Sequence, residues 1–345
     1  MAESLATKYR PHKFDDVLSQ GNVVRILKRQ LETGAFKHAY LFSGPSGDGK
    51  TTIARIFANE LNHGQGTPIE IDGASNNGVD NVRAIIEESK SRAMDCEYKT
   101  IIVDECHMLT VQAWNSFLKT LEEPSAYTIF MFCTTDPQKI PQTVQNRCQR
   151  FNLTKVDTSM IKDRLAYVCS QEGFSNYDEA CDFIAKLSNG GVRDALSMLE
   201  KASDYDKDLS INNVLQALGS FSYSTFLELE NAIYDRDQAT IIRIVEGVYN
   251  SGSDLKLFVE QFLEFTLDLN KYCLLKDLSV TKIPSSLEKD NGTPLSVAYV
   301  TGIESPVRYY NNLAAKLLEL KSMLRYDTMP KSTIEIQLIG MSRGE

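Results

Sequence analysis

The sequence predicts an α/β domain with a five-stranded parallel sheet over residues 1–156, followed by a small helical domain over 157–206 and an all-α domain over 207–345. Strand-like and helix-like segments alternate through the first region, which is typical of a parallel sheet covered on both faces. The β-branched runs stop around Phe151 to Asp157, and from there the pattern is almost wholly helical.

The apolar periodicity places the individual elements. Strands are predicted at 39–43, 68–72, 99–104, 127–133 and 148–153. Helices are predicted between them at 22–33, 50–61, 79–94, 110–122 and 141–146, then at 158–172, 178–188, 191–203, 224–235, 255–276, 307–325 and 332–342. The acidic stretch 204–210 is expected to be a linker, and 279–305, rich in Ser, Pro and Gly, is expected to be a loop.

Composition indicates an ordinary globular protein. The chain has 345 residues, of which 42% are hydrophobic and 24% charged. No apolar run approaches the roughly 20 residues that cross a bilayer, and the first residues contain no apolar signal segment. We therefore expect a cytoplasmic protein with no membrane contact. The seven cysteines are scattered without C-x-x-C spacing, so reduced thiols and no structural zinc are expected.

The charge is unevenly distributed. The net charge is −9, but residues 1–156 carry 18 basic and 18 acidic side chains, so the acidic excess belongs to the remainder. An acidic surface repels phosphate backbones. If DNA binds, it is expected to bind the first domain.

A glycine-rich segment joins the first predicted strand to a helix. It runs Gly44, Pro45, Ser46, Gly47, Asp48, Gly49, Lys50, Thr51, with Thr52 next. Such a loop curls so that its N–H groups form an anion nest, and the following helix adds its positive end. Lys50 can reach the β- and γ-phosphates of a nucleotide, and the Thr51 hydroxyl can bind Mg²⁺. The alternative is a glycine turn with an ordinary surface lysine.

A second segment, Lys99 to Glu105, is a short apolar run that ends in two carboxylates. It predicts a buried parallel strand with Asp104 and Glu105 at its tip. Asp104 can hold Mg²⁺ and Glu105 can polarise an attacking water, which favours hydrolysis over a passive nucleotide switch. The alternative is two acidic residues at a strand end, which is common. A further strand ends in hydroxyls at Thr134 and Thr135, a weak indication of a γ-phosphate sensor.

Several further segments together carry a family resemblance. They are Tyr9–Pro11, Phe14–Val17, Ala74–Asp80, Asp104–His107, Leu121–Pro124, Thr134–Pro141, Asn146–Phe151 and Gly190–Leu196. In this order they resemble the bacterial gamma/tau subunit of DNA polymerase III, the ATPase of sliding-clamp loaders within the AAA+ superfamily. The resemblance is strong over residues 1 to about 205. It implies an AAA+ P-loop fold, a helical lid at 157–206 and an oligomerising collar at 207–345.

The resemblance implies a role for each matching residue. Lys50, Thr51, Asp104 and Glu105 would hold phosphates and Mg²⁺ and activate water, and Thr135 would be the strand-tip sensor. Arg193 would be a sensor on the lid. Arg147 would be an arginine finger that enters the ATP site of a neighbouring subunit. The adenine would lie near Lys8 to Val17, which includes Tyr9, Arg10, Pro11 and Val17.

The chain departs from the family pattern in three places. Asn146 stands where the family has Ser. The gap from Leu61 to Pro68 is too short for the family's four-cysteine zinc module, so ATP and Mg²⁺ are expected and zinc is not. The chain also stops near residue 345, where the family's collar would end, so the polymerase- and helicase-tethering segments of long forms are expected to be absent.

The resemblance also implies partners. ATP bound between subunits, in an expected pentamer with other clamp-loader subunits, would drive opening of a sliding clamp around primer–template DNA. We expect contacts to DNA phosphates from Arg83, Lys90 or Arg92. The equally weighted alternative is that these charges lie on an ordinary solvated helix face. Clamp contacts are expected after Glu105, from Met108, Leu109 and Trp114, although core packing is the more common role for a tryptophan.

Two other functions remain open from the residues. Asp104-Glu105-Cys106-His107 also suits a DExH-type helicase, which needs a second α/β domain that the helical region 157–345 does not predict. A scaffold subunit that binds ATP without hydrolysing it is the non-enzymatic alternative. Lys50, Glu105 and Arg147 all favour hydrolysis over that reading.

Overall fold

In the computed structural model of the chain, residues 3–277, 280–283, 303 and 305–343 are described. Contacts divide the chain into two compact units. The first is Met1–Arg164 together with Ser188–Ser197, and the second is Leu165–Leu187 together with Met198–Glu345. The three-domain division made from the sequence stays a prediction. Most of the predicted loop at 279–305 lies outside the described residues.

The first unit contains a five-stranded parallel sheet. Its strands are β1 (Ala39–Ser43), β2 (Ile69–Asp72), β3 (Lys99–Asp104), β4 (Thr128–Thr134) and β5 (Gln149–Asn152). They lie in the order β2-β3-β4-β1-β5, and every pairing is parallel. The predicted sheet is therefore confirmed. Since β4 lies between β1 and β3, the ends of these three strands meet at one edge of the sheet.

The helices in the described residues follow the predicted ones closely, although those at 5–8, 211–218 and 238–250 were not among the predicted helices. They are α1 (Leu5–Lys8), α2 (Gly21–Thr33), α3 (Lys50–Leu61), α4 (Val79–Ser89), α5 (Val111–Glu122), α6 (Gln142–Gln145), α7 (Thr158–Glu172), α8 (Asp178–Leu187), α9 (Val192–Tyr205), α10 (Ile211–Leu218), α11 (Tyr223–Tyr234), α12 (Gln238–Asn250), α13 (Leu255–Leu275), α14 (Pro306–Met323) and α15 (Pro330–Arg343). Short 3₁₀ turns lie at Phe14–Asp16, Cys106–Met108 and Pro137–Lys139.

Helix α4 ends five residues before the predicted position 94. Its last carbonyl groups are taken by side chains from elsewhere in the fold: Thr128 Oγ1 donates to the Ser89 carbonyl oxygen at 2.7 Å. Lys99 Nζ donates to the Glu88 carbonyl oxygen at 2.8 Å. These bonds satisfy backbone groups that a longer helix would otherwise use.

Side chains alternate across the sheet and build a core on each face. Tyr40 and Phe42 of β1 pack on one face with Phe57 of α3. Leu41 packs on the other face in the cluster that contains Trp114 of α5. Both faces are thus apolar, which leaves the strand ends as the place for polar chemistry.

The regular secondary structure in the described residues of the second unit is helical, apart from one isolated bridge between two backbone segments. Its largest core packs α11, α12 and α13 with α14 and α15, around side chains such as Phe258 and Tyr310. The expected linker at 204–210 is partly structured: α9 continues to Tyr205 and Leu209 is completely buried. Ser175 pairs with Asp208 through the backbone, so these residues belong to the packed unit.

Candidate active site

The glycine-rich loop joins β1 to α3 and requires its glycines. Gly47 and Gly49 have φ angles of 77° and 97°, in the left-handed region that favours glycine. A Cβ atom added to Gly44 would lie 2.1 Å from Oδ2 of Asp48. A larger residue would therefore be strained at Gly47 and Gly49 and would clash at Gly44, as expected of a loop that curls into an anion cradle.

Helix α3 begins at Lys50, directly after this loop. Its N-cap is Gly49, which has no side chain to cap the helix. The first turn of a helix has N–H groups without intrahelical partners and a partial positive charge. Loop and helix end together suit a phosphate group.

The Lys50 ammonium group is bonded entirely within the loop. Its Nζ donates to the carbonyl oxygen of Gly44 at 3.0 Å, to the carbonyl oxygen of Pro45, and to Oδ1 of Asp48 at 2.9 Å. Lys50 is 6% exposed and Asp48 1% exposed. Burial raises the pKa of Asp48 above its ordinary value, although the hydrogen bond from Lys50 opposes the rise.

The loop meets the tip of β3 through one hydrogen bond. Thr51 Oγ1 donates to Oδ2 of Asp104 at 2.8 Å, and Oδ1 of Asp104 accepts the backbone N–H of Glu105 at 3.0 Å. A hydroxyl and a carboxylate side by side are oxygen ligands of the kind that Mg²⁺ prefers. The residues present therefore fit a magnesium–nucleotide complex.

Glu105 follows in a left-handed conformation, with φ 43°, that costs a non-glycine residue on the order of 1 kcal/mol. Thr135 Oγ1 donates to its Oε2 at 3.2 Å. Nδ1 of His107 lies 3.3 Å from the same oxygen and 3.2 Å from Oγ1 of Thr134. Thr135 and His107 thus orient the carboxylate. The sequence indicated Thr135, whereas no role was derived for His107 although it stands two residues after Glu105.

The predicted adenine residues lie in the same pocket. Tyr9, Arg10, Pro11 and Val17 line it together with the loop, Asp104 and Glu105. Arg164 of α7 also lines it and donates to the Tyr9 carbonyl oxygen at 2.7 Å. Arg164 was not predicted from the sequence, because only the tertiary fold brings this part of α7 to the pocket.

Arg193 reaches the pocket from the start of α9. The segment before it packs directly on the loop: the Val192 N–H donates to the Gly47 carbonyl oxygen at 3.2 Å. A Cβ atom on Gly47 would lie 3.2 Å from Cα of Gly191. The backbone just before Arg193 is therefore held against the glycine-rich loop, which keeps the Arg193 side chain at the pocket.

Three family models match successive parts of the chain. Residues 19–77 and 63–157 match the family model described as DNA polymerase III, delta subunit. Residues 160–204 match the ATPase lid domain of the DNA polymerase III clamp loader subunit, and residues 209–297 match domain III of DNA polymerase III subunits gamma and tau. The chain belongs to the gamma/tau family of DNA polymerase III.

Curated members of the family align with much of this chain. The tau subunit of Bacillus subtilis is 34% identical over 292 residues, which are 78% of this chain and 52% of the relative. The tau/gamma subunit of Haemophilus influenzae is 35% identical over 272 residues, 72% of this chain and 40% of the relative. The chain thus spans about half the length of the first of these relatives and less of the second.

Solved structures show the same fold at lower identity. The Holliday junction branch migration motor RuvB of Thermotoga maritima is 21% identical, with a TM-score of 0.52 over 65% of this chain and 79% of that one. The predicted gamma/tau resemblance and the AAA+ P-loop fold are both confirmed. The described residues outside the first unit's sheet form no second α/β domain, which removes the basis of the helicase alternative.

Arg147, the expected arginine finger, does not line the pocket of its own chain. It lies just after α6, where it donates to the Thr143 carbonyl oxygen at 2.6 Å and forms an ion pair with Glu122 of α5. Its side chain is 33% exposed. Within the chain the structure therefore keeps Arg147 apart from the other predicted site residues.

The residues that were expected to contact DNA or a clamp are only partly exposed. Trp114 is 1% exposed and packs in the core, which is the alternative that was favoured for a tryptophan. Leu109 is 6% exposed and packs in the same core, so the prediction that it contacts a clamp is wrong. Met108 is 46% exposed. In the proposed DNA segment Arg83 pairs with Asp80, and Arg92 lies 5.1 Å over the ring of Tyr127.

No group of three or more metal-ligating side chains occurs in the described part of the chain. All seven cysteines are free thiols, and the absence of zinc stays a prediction. Among the described helices none is both long and apolar enough to cross a membrane.

Proposed function

We propose that this chain is an ATP-driven subunit of a clamp loader, which opens a sliding clamp, places it on primer–template DNA and releases it when ATP is hydrolysed. One observation carries the proposal. A single pocket contains the Lys50–Thr51 cradle, the Asp104–Glu105 pair and Arg193, and the segment that precedes Arg193 is hydrogen-bonded to the cradle. Such a pocket can both bind a triphosphate and transmit its presence to a helix.

These pocket residues each have one task in binding or hydrolysing ATP. The loop amides and Lys50 bind the phosphates, while Thr51 and Asp104 hold the Mg²⁺ that neutralises charge on them. Glu105 accepts a hydrogen bond from the attacking water. Because Thr135 and His107 contact its carboxylate, that side chain is oriented before the reaction. Arg193 contacts the γ-phosphate and draws the start of α9 with it.

Arg147 acts on a neighbouring subunit in this proposal. Its partly exposed side chain can leave Glu122 and enter the pocket of an adjacent copy or companion subunit, where it stabilises charge in the transition state. ATP therefore binds the assembled ring more tightly than separated subunits, which is the differential affinity that clamp opening needs. A pentamer with other clamp-loader subunits fits this arrangement.

The same assembly binds DNA and a clamp. Contacts to DNA are to phosphates, from basic residues of the first unit such as Lys90 and Arg92, so binding weakens with salt and shows little sequence preference. The exposed Met108 contacts the clamp. The acidic surplus belongs to the chain after residue 156, whereas the proposed DNA contacts belong to residues 1–156.

The test compares the native assembly with a Glu105→Gln assembly. We expect ATP hydrolysis stimulated by primed DNA and the cognate clamp in the native protein, and a loss of about 100-fold or more in the variant with ATP binding retained. Native turnover no faster than that of the variant would favour a scaffold subunit that binds ATP without hydrolysing it.

A further inference from the structure

Asp48 is an acidic side chain built into the interior of the phosphate loop. It is 1% exposed, and its Oδ2 is so close to Gly44 that a Cβ atom added there would lie only 2.1 Å from it. No hydrogen-bond partner of Oδ2 occurs among the described residues. A carboxylate with one oxygen unsatisfied in a buried place is costly, so its position calls for a function.

The partner of Asp48 is the lysine that the loop needs for phosphates. An ammonium group has three N–H donors. In Lys50 all three are occupied, by the carbonyl oxygens of Gly44 and Pro45 and by Oδ1 of Asp48. Lys50 can therefore contact a phosphate oxygen only when it gives up at least one of these bonds.

Asp48 is the one charged acceptor of the three. A charge-assisted hydrogen bond is roughly twice as strong as one between neutral groups, and burial strengthens it further. The two carbonyl groups cost little to release by comparison. The free energy that retains Lys50 in the loop is therefore determined mainly by Asp48.

We propose that Asp48 competes with the nucleotide phosphates for the Lys50 ammonium group and thereby lowers the affinity of this loop for ATP. The inference rests on the proposed function, since it requires the loop to bind a nucleoside triphosphate. Asp48 is a positioning residue that acts through Lys50. The pair stabilises the nucleotide-free loop, so its effect falls on binding and leaves the rate of the chemical step unchanged.

The other role open to Asp48 is a purely structural one, in which it braces the loop from inside. The two roles predict opposite results. A brace, once removed, loosens the cradle and weakens nucleotide binding whatever Lys50 does. A competitor, once removed, strengthens binding, and only while Lys50 is present.

The experiment is a double-mutant cycle on the full chain. Calorimetry measures the dissociation constant of Mg²⁺ with the non-hydrolysable analogue adenylyl imidodiphosphate, for the native protein, Asp48→Asn, Lys50→Ala and the double variant. We expect Asp48→Asn to bind about ten-fold more tightly than the native protein. In the Lys50→Ala background the same change should alter affinity less than two-fold.

Three controls separate the outcomes. Asp80→Asn removes a carboxylate of α4 that is 94% exposed, and it should leave the dissociation constant unchanged. Asp48→Ala repeats the test without the new amide, and thermal unfolding shows whether each variant is folded. In steady-state hydrolysis Asp48→Asn should lower KM and leave kcat unchanged.

In one outcome Asp48→Asn and Asp48→Ala each bind the ATP analogue no more tightly than the native protein does, while Lys50→Ala still weakens binding. That result would overturn this inference and leave the proposed function intact. Loss of the folded state in both Asp48 variants would identify a structural brace and overturn it as well. Absence of binding by the native protein would instead overturn the proposed function, and the inference with it.

Discussion

The hydroxyl of Thr51 donates a hydrogen bond of 2.8 Å to Oδ2 of Asp104, which connects the phosphate loop to the tip of β3. The two residues are separated by 53 positions in the chain. They meet because β1 and β3 flank β4 in a parallel sheet, so the segments that follow β1 and end β3 share one edge. The pair is the proposed Mg²⁺ site.

Replacing Thr51 with Ala removes one of these two oxygen ligands. We predict that affinity for the magnesium–ATP complex falls by roughly 10- to 100-fold, because Asp104 would then be the one remaining protein ligand beside the phosphate oxygens and water. Titration with a fluorescent ATP analogue measures it. ATP binding without Mg²⁺, in the presence of a chelator, should change little. An equal loss with and without Mg²⁺ would contradict the proposed site.

Met108 and Trp114 give a second test, which separates surface from core. We predict that Met108→Ala weakens binding of the cognate clamp several-fold and leaves stability nearly unchanged, since the side chain is 46% exposed. Trp114→Phe should lower the free energy of unfolding by about 1–3 kcal/mol, because it leaves a gap against Phe117 and Phe132.

Clamp binding, measured by surface plasmon resonance, should be unaffected in folded Trp114→Phe. The reverse result, with clamp affinity lost in Trp114→Phe and retained in Met108→Ala, would place the clamp contact elsewhere on the segment after Glu105.

The raised pKa of the buried Glu230 side chain leads to a prediction of how the free energy of unfolding depends on pH. Glu230 lies buried in α11 beside Tyr310, and burial raises its pKa to about 7. Between pH 4.5 and about pH 7 the native state therefore keeps a proton on Glu230. The unfolded state, in which the pKa has its ordinary value of 4.5, has released that proton. Stability from Glu230 is complete below about pH 4.5 and is lost as pH rises toward about 7.

We predict that Glu230→Gln removes this dependence. Denaturant unfolding at pH 5 and pH 8 gives the free energy of unfolding of each protein. From pH 5 to pH 8 this free energy should fall by up to about 3 kcal/mol more in the native protein than in the variant. The difference between the two proteins isolates Glu230 from other titrating groups. Parallel pH profiles would show that Glu230 is charged in the folded protein.

The local sequence predicted the sheet well because its strands are short, buried, β-branched runs between turns. The phosphate loop and Asp104 were found for a related reason, since their chemistry depends on residues adjacent in the chain. The end of α4 could not be predicted, because Thr128 and Lys99, from other elements, determine it. Arg164 was missed on the same ground.

Trp114 shows a different limit of sequence reasoning. Its segment follows Glu105, where a partner contact was expected, but the periodicity of α5 could not tell a core tryptophan from a surface one. The structure decides this through contacts with Phe117 and Phe132. The Asp48–Lys50 pair likewise depends on loop geometry that spacing alone does not contain.

We propose that one subunit binds ATP and that an adjacent subunit supplies Arg147. Mixing two inactive variants tests it most directly: Lys50→Ala lacks the ATP cradle and Arg147→Ala lacks the finger. Because an Arg147→Ala subunit beside a Lys50→Ala subunit regains a complete site, we predict that the mixed assembly recovers ATP hydrolysis stimulated by clamp and DNA, while neither variant alone shows it. A mixture as inactive as its components, with mixed assembly verified by native mass spectrometry, would contradict the claim.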